Sequence, residues 1–225
     1  MARGLDVYSG AGGASHGYAL AGHDMTGIDS RPQPRYPYRF VQADALEVLA
    51  TWDLSGYDFI HASPPCQDHM RGGNKPLHGT SWMLAATRAA LERTGLPWII
   101  ENVPGAPMRA DYQLCGCLFD LHLRDMQLVR VRWFETSWHG FDMRAPCDHG
   151  GRVAVSVVGT GTTSHARDRL GRCPTRRDYQ QLMGIDWMQR PELSQAIPPA
   201  YTRYLAGEMQ KWEVITESEC GMIEH

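Results

Sequence analysis

No stretch of this sequence approaches the ~18 uninterrupted apolar residues of a membrane-spanning helix, so none is expected. The N-terminus, Met1-Ala2-Arg3-Gly4-Leu5-Asp6, meets a carboxylate before any apolar run can form, and no secretory signal is expected. A basic excess is also missing. The 22 Lys and Arg stand against 25 Asp and Glu, a net charge of −3, which excludes a non-specific nucleic-acid packager but not a local basic patch. Internal repeats and low-complexity tracts are absent. Six cysteines (Cys66, Cys115, Cys117, Cys147, Cys173 and Cys220) are too few among 225 residues to form a disulfide framework, and they read as reduced thiols. What is present is an ordinary globular mixture, 43% hydrophobic and 21% charged, long enough for one well-buried domain. A soluble cytoplasmic protein with no membrane partner is the expectation.

Through the first hundred residues, short apolar runs alternate with glycine turns and helical stretches. Strands are predicted at Leu5–Ser9, Met25–Ile28, Arg39–Gln42, Tyr57–His61 and Pro97–Ile100, and a helix at Ser81–Arg93. This rhythm predicts an α/β fold with a mostly parallel, doubly wound sheet. Polar or acidic residues recur just after the strands, where such sheets bind ligands. Further on, Gln127–Phe134 and Val153–Val158 read as strands, Thr175–Met183 and Pro199–Trp212 as helices, and the last dozen residues as frayed.

Several groupings carry chemistry. Gly10-Ala11-Gly12-Gly13 follows a strand and opens a helix, letting the backbone approach a ligand; Ser15 stands where a dinucleotide fingerprint has its third glycine or alanine. Asp29 and Asp44, each after a strand, suit ribose hydroxyls and an adenine amine. Read alone, these glycines serve a tight turn equally well. Ser63-Pro64-Pro65-Cys66-Gln67 rigidifies a strand end and presents a thiol there, although a free cysteine is commonly a small core residue. The loop after it, with Arg71 and Lys75, is either a clamp over an anionic substrate or a solvated surface. Glu101-Asn102 ends the next strand on the same edge, and a carboxylate beside a thiol suits protonation of a ring nitrogen while the thiolate attacks the adjacent carbon. Arg130 and Arg132, at strand spacing, place two guanidinium groups on one face, which alone is usually a solvated face.

The ordered set Asp6–Gly13, Pro64-Pro65-Cys66-Gln67, Glu101-Asn102-Val103, Arg130–Phe134, Thr175–Asp178 and Ala196-Ile197-Pro198-Pro199 resembles the DNA cytosine-5 methyltransferases, of the small phage and prokaryotic type, over nearly the whole chain. The resemblance implies a Rossmann-like fold and S-adenosylmethionine as methyl donor, leaving S-adenosylhomocysteine. Tyr8 would stack on the adenine, with Ser9, Gly10, Gly12 and Gly13 along the cofactor. Asp29 would hold the ribose and Asp44 the adenine amine; Pro64 and Gln195 would complete the site. Cys66 would add to C6 of cytosine, Glu101 would contact N3 and the exocyclic amine, and Arg132 would contact O2 with Arg130 in support. Loss of the C5 proton and of Cys66 would release 5-methylcytosine. Gln67, Arg71, Lys75, Arg167, Arg169 and Arg172 would meet DNA, expected as a duplex with a flipped cytosine. A monomer is expected; a companion endonuclease of a restriction-modification pair would not be visible in this sequence.

The chain departs from that pattern at His69 and Met70 after the nucleophile, at Leu128 where a glutamine is usual, and at Ser194 and Gln195 in the late Pro-Pro motif. It divides into a catalytic part, 1–135, a recognition region, 136–172, and a return, 173–225. The recognition region has only 37 residues, short for duplex readout. Two other readings therefore stand: the same chemistry on single-stranded DNA, tRNA or a free cytosine nucleotide, and a non-catalytic DNA-binding relative. Cys115-Gly116-Cys117 with Cys147-Asp148-His149 offers four zinc ligands, but the spacing matches no standard zinc template and no metal is expected. His139, His149 and His165 read as surface or DNA-facing, and the arginines from 167 to 177 as either a DNA-facing patch or a solvated helix start.

Overall fold

The computed structural model describes residues 1–65, 81–142, 146–149, 151–157 and 164–220. The expectations placed on Cys66, Gln67, Arg71 and Lys75 lie outside these residues. The strands are β1 (Arg3–Val7), β2 (Asp24–Asp29), β3 (Arg39–Gln42), β4 (Phe59–Ala62), β5 (Trp98–Asn102), β6 (Tyr112–Leu114), β7 (His122–Leu123), β8 (Met126–Leu128), β9 (Arg132–Thr136) and β10 (Val153–Val155). The helices are α1 (Gly13–Leu20), α2 (Ala45–Thr51), α3 (Ser81–Thr94), α4 (Ser164–Leu170), α5 (Arg176–Met183), α6 (Arg190–Gln195) and α7 (Pro199–Cys220). Among the described residues, no helix is long and apolar enough to cross a membrane.

A seven-stranded sheet runs β3-β2-β1-β4-β5-β9-β6, parallel from β3 to β5, with β9 and β6 antiparallel to their neighbours. Every residue of β4 and β5 is buried, as expected of strands covered on both faces. Leu5, Val7, Ile60, Ala62 and Ile100 face one way, into a core shared with α2 and α3. Phe59, Ile99 and Phe134 face the other way, with Tyr18 of α1 and Tyr201 and Leu205 of α7. The α1–α7 contact is close enough to require glycine: a Cβ at Gly17 would lie 2.0 Å from Thr202 Oγ1. A second, three-stranded sheet, β10-β8-β7, packs on Tyr179, Leu182 and Met183 of α5.

The strand order reverses between β1 and β4, so the crevice for a ligand opens at their carboxyl ends. Residues 8–13 and 63–65 sit there.

The predicted strand Gln127–Phe134 is two strands in different sheets, β8 and β9, with Val129–Val131 as the connection. The α7 backbone also continues beyond Trp212, to Cys220, where frayed chain was expected. The polar residues on β5 belong to the strand itself: Glu101 and Asn102 pair with Phe134 and Trp133 of β9.

Two buried ionisable groups pair in register across β1 and β4: Asp6 and His61. Ser15 donates to Asp6 Oδ2, while Oδ1 has no partner among the described residues. Burial pushes the Asp6 carboxyl up to about 7, against the Ser15 hydrogen bond, and pushes the His61 imidazole down to about 3. The two oppose each other. The raised Asp6 value stabilises the fold fully below its unfolded value, 3.8, and this is lost as pH rises through about 7. The lowered His61 value stabilises fully above 6.5, and this is lost as pH falls toward about 3. Asp6→Asn removes only the first slope. Its stability relative to wild type is expected to increase by about 3 kcal/mol between pH 4 and 7. Urea melts at four pH values measure this, and a pH-independent difference between the two proteins contradicts it.

Candidate active site

Of the cofactor-side expectations, residues 8–13 follow β1, Asp29 ends β2, Asp44 follows β3 and Pro64 follows β4, all at the carboxyl edge of the parallel sheet. Tyr8 takes a left-handed backbone conformation, φ 60°, uncommon outside glycine, and turns the chain out of β1. Its ring packs on the α2–α3 core and its hydroxyl meets Thr87 Oγ1 at 3.0 Å. Burial raises the phenol pKa, and the Asp44 carboxylate nearby adds to the rise. Gly10 has φ 50° and open space where a Cβ would sit, and Gly12 caps α1 with no side-chain partner. The first-turn N–H groups of α1 therefore border that space.

Asp29 holds this turn, accepting from Gly10 N at 3.0 Å through Oδ2 and from Arg31 N at 2.9 Å through Oδ1. Each oxygen keeps a lone pair for a further donor. Asp44 has a second duty: Oδ1 caps α2, accepting from Leu46 N and Glu47 N. Ser9 is buried, with its amide bonded to Ile28 O. Gly13 serves packing, since a Cβ there would lie 2.5 Å from Ile197 O. Gln195 is exposed at the end of α6. Trp187, absent from the sequence expectations, donates from Nε1 to Ala11 O at 2.9 Å and fastens the glycine turn from outside.

Glu101 and Arg132 meet because β9 pairs antiparallel with β5. Phe134 lies opposite Glu101, so Arg132, two residues earlier, is its diagonal neighbour on the same face. Arg132 Nε contacts Glu101 Oε1 at 2.9 Å, and the two side chains are only 15% and 9% exposed. Burial pushes the Glu101 carboxyl up; the charges of Arg132 and Arg130 and a hydrogen bond from Ser63 pull it back. Asn102 Nδ2 donates to Pro64 O at 3.1 Å and ties the Pro-Pro turn to the end of β5. The chain entering Cys66 thus starts beside Glu101.

Behind Glu101 runs a buried chain that sequence reasoning missed: Tyr18 hydroxyl to His61 Nδ1 at 3.0 Å, His61 Nε2 to Ser63 Oγ at 3.0 Å, and Ser63 to Glu101. With Glu101 ionised, Ser63 donates to it, so His61 donates from Nε2 and accepts from Tyr18 at Nδ1. Its only trace in the sequence is alternation: His61 and Ser63, two apart across the end of β4, share a face.

Arg130 does not join Arg132 on a strand face. It turns into the protein, donating to Ala196 O at 2.9 Å, Val157 O at 3.1 Å and Ser194 O at 2.8 Å. It holds the late Pro-Pro turn against the small sheet, and its charge acts on Glu101. Arg172, expected on DNA, instead pairs with Asp178, Nη1 to Oδ2 at 2.7 Å, and Arg176 bonds Gln189. Arg167 and Arg169 are exposed on α4. A cavity of about 560 Å³ opens between His16 and Tyr38 on one side and Arg177, Asp186 and Trp187 on the other, away from Glu101. Cys115, Cys117, Cys147 and His149, separated in the sequence, come together beyond β6.

The strand order, with a glycine turn after β1 and a polar switch point at β4, is the Rossmann-like fold of S-adenosylmethionine-dependent methyltransferases. Solved structures with this fold include the Dnmt2 methyltransferase of S. pombe, with 16% identity and TM-score 0.63 over 94% of this chain and 99% of that chain. A DNMT2 mutant from Spodoptera frugiperda gives 14% identity and TM-score 0.60, covering 91% and 98% of the two chains. A putative DNA modification methyltransferase encoded within an E. coli prophage gives 14% and 0.57, covering 94% and 99%. At these identities the likeness is one of fold. No protein-family model and no curated protein matches the sequence.

Proposed function

We propose that this protein transfers a methyl group from S-adenosylmethionine to C5 of cytosine in DNA, through a covalent bond between Cys66 and C6. The observation that carries the reading is the buried Glu101 carboxyl, held by Arg132 and placed beside the Pro64 turn that leads into Cys66. The open turn at Gly10, rigidly held by Asp29, fits the cofactor: Tyr8, Gly10, Gly12, Asp29 and Asp44 would hold it. When bound, S-adenosylmethionine supplies the electrophilic methyl group that an activated C5 takes up. The protein's own part is that activation. The Cys66 thiolate adds to C6, the ring electrons move toward C5, and Glu101 holds the proton at N3 that makes this favourable. Arg132 orients the carboxyl and presents its remaining N–H groups to O2.

Region 136–172 would be a minimal recognition element reading a short site, with the exposed Arg167 and Arg169 on DNA phosphates; a preference for one site longer than about six base pairs would contradict this. The prophage neighbour, described as a putative DNA modification methyltransferase, supports DNA as substrate. The shortness of that region favours a second reading: the same reaction on single-stranded DNA, tRNA or a free nucleotide. Mass spectrometry of nucleosides from an expressing host decides between them. 5-Methylcytosine in DNA is the expected result; its appearance only in tRNA supports the second reading, and its absence from DNA, tRNA and the nucleotide pool contradicts both. Labelled S-adenosylmethionine incubated with each purified substrate class reads the same outcome in vitro.

A further inference from the structure

Beyond β6, the chain turns through Cys115-Gly116-Cys117. Cys115 is fully buried and caps a short 3-10 turn, Gly116–Phe119. That turn has no latitude: a Cβ on Gly116 would lie 2.4 Å from Leu128 O, so the two cysteines are fixed against β8. Some thirty residues later, the irregular segment 146–149 brings Cys147 and His149 onto the same spot. The thiol of Cys117 touches those of both Cys115 and Cys147, and Cys115 Sγ lies 3.8 Å from His149 Nε2. All four ligand atoms fall within 4.8 Å of one another.

Three thiols and an imidazole converging on one point, outside the proposed methyl-transfer site, have no packing rationale. A sulfur buries well on its own, but nothing about packing brings three together with a ring nitrogen. A tetrahedral zinc ion with Zn–S bonds of ~2.3 Å places its ligand atoms about 3.6–3.8 Å apart, and the Cys115–His149 separation already has that value. We infer that Cys115, Cys117, Cys147 and His149 bind one structural zinc ion, a closed Cys₃His site with no open coordination position.

Sequence spacing does not reveal this site because its two halves are local pairs, C-x-C and C-x-H, that only the fold brings together. The ion fastens the excursion after β9 to the end of β6. Leu114, the residue before Cys115, pairs in register with Arg132, so the same ion steadies the strand end next to the Glu101 partner. It acts there by position only.

The test uses the full chain, purified under reducing conditions without chelator or metal-affinity tag. Elemental analysis is expected to give one zinc per chain. Cobalt exchanged into the protein is expected to show the charge-transfer and ligand-field bands of tetrahedral thiolate ligation. Chelation is expected to expose three further thiols to alkylation and to open the 137–151 segment to protease. Cys147→Ser and His149→Gln alter the loop-borne ligands, Cys147 itself exposed, and leave the buried Cys115 in place. Both variants are expected to fold and to lose at least ~90% of the bound metal. Less than a tenth of an equivalent of zinc, both as purified and after zinc loading and desalting, would overturn the inference. So would stoichiometric zinc retained in both variants, or a disulfide between two of these cysteines in the reduced preparation.

Discussion

Cys66→Ala is expected to reduce methyl transfer by roughly 10⁴- to 10⁶-fold, the scale seen when a covalent nucleophile is removed from an otherwise intact site. The size follows from the substrate. Cytosine C5 is a poor nucleophile within an aromatic ring, and only a bond at C6 turns it into the electron-rich end of an enamine. The other groups described cannot substitute: Glu101 and Arg132 polarise the ring but add nothing to C6. Cofactor binding should survive, because the turn at Gly10 is held by Asp29 and Trp187 and makes no use of the thiol. The variant should therefore bind S-adenosylhomocysteine with wild-type affinity in a calorimeter while turnover disappears. A second readout separates chemistry from folding. With 5-fluorocytosine in the substrate, the fluorine at C5 cannot leave as the proton does, so wild-type protein is expected to form an adduct stable to denaturation and Cys66→Ala none. Turnover by Cys66→Ala within about tenfold of wild type contradicts the covalent route.

The centre of the sheet was legible in the sequence because β1, β2, β4 and β5 are buried along most of their length, and such strands read as short apolar runs stopped by glycine, proline or an acid. That is why β2 and β4 fall within two residues of expectation, whereas β3, a sheet-edge strand with no buried residue, owes its legibility to its position before Asp44 rather than to burial. What pattern could not show is how the second half is joined. Gln127 to Phe134 reads as one extended run, yet the chain leaves one sheet and enters another between Leu128 and Arg132. The cause is Arg130, whose three carbonyl partners lie up to 66 residues away and pull it out of any strand. The buried Glu101–Arg132 pair was foreseeable as an association but not as geometry, because it depends on the antiparallel register of β9 on β5. The Tyr18–His61–Ser63 chain behind it depends on an α1-to-β4 contact, and the Cys/His cluster on a loop returning to β6. Each of these is a long-range contact between short polar signals, where local periodicity carries no information.

Glu101→Gln tests the other half of the proposed chemistry and is expected to lower kcat by 10²- to 10⁴-fold with a much smaller change in KM. Glutamine preserves the size of the side chain and an oxygen to accept from Arg132, so the guanidinium keeps a partner. Glu101→Ala would be a poorer test, since stranding Arg132 in a site where it is 15% exposed costs about 3–5 kcal/mol of stability. The amide removes the one property the reaction needs, a proton that can reside on the carboxyl. Burial pushes the Glu101 carboxyl above its ordinary range, and the Ser63 hydrogen bond partly counters it. If the protonated form acts at N3, kcat falls on the alkaline side as Glu101 ionises. Ser63→Ala, by removing the hydrogen bond to the ionised form, raises the carboxyl pKa further and moves that limb to higher pH. A residue that merely shaped the pocket would lower activity without moving the limb. The pair of profiles is therefore the decisive measurement: an alkaline limb displaced upward in Ser63→Ala and missing in Glu101→Gln is the expected outcome. A limb unchanged in both, or kcat in Glu101→Gln within about threefold of wild type, removes Glu101 from the proton transfer and leaves it as an anchor for Arg132.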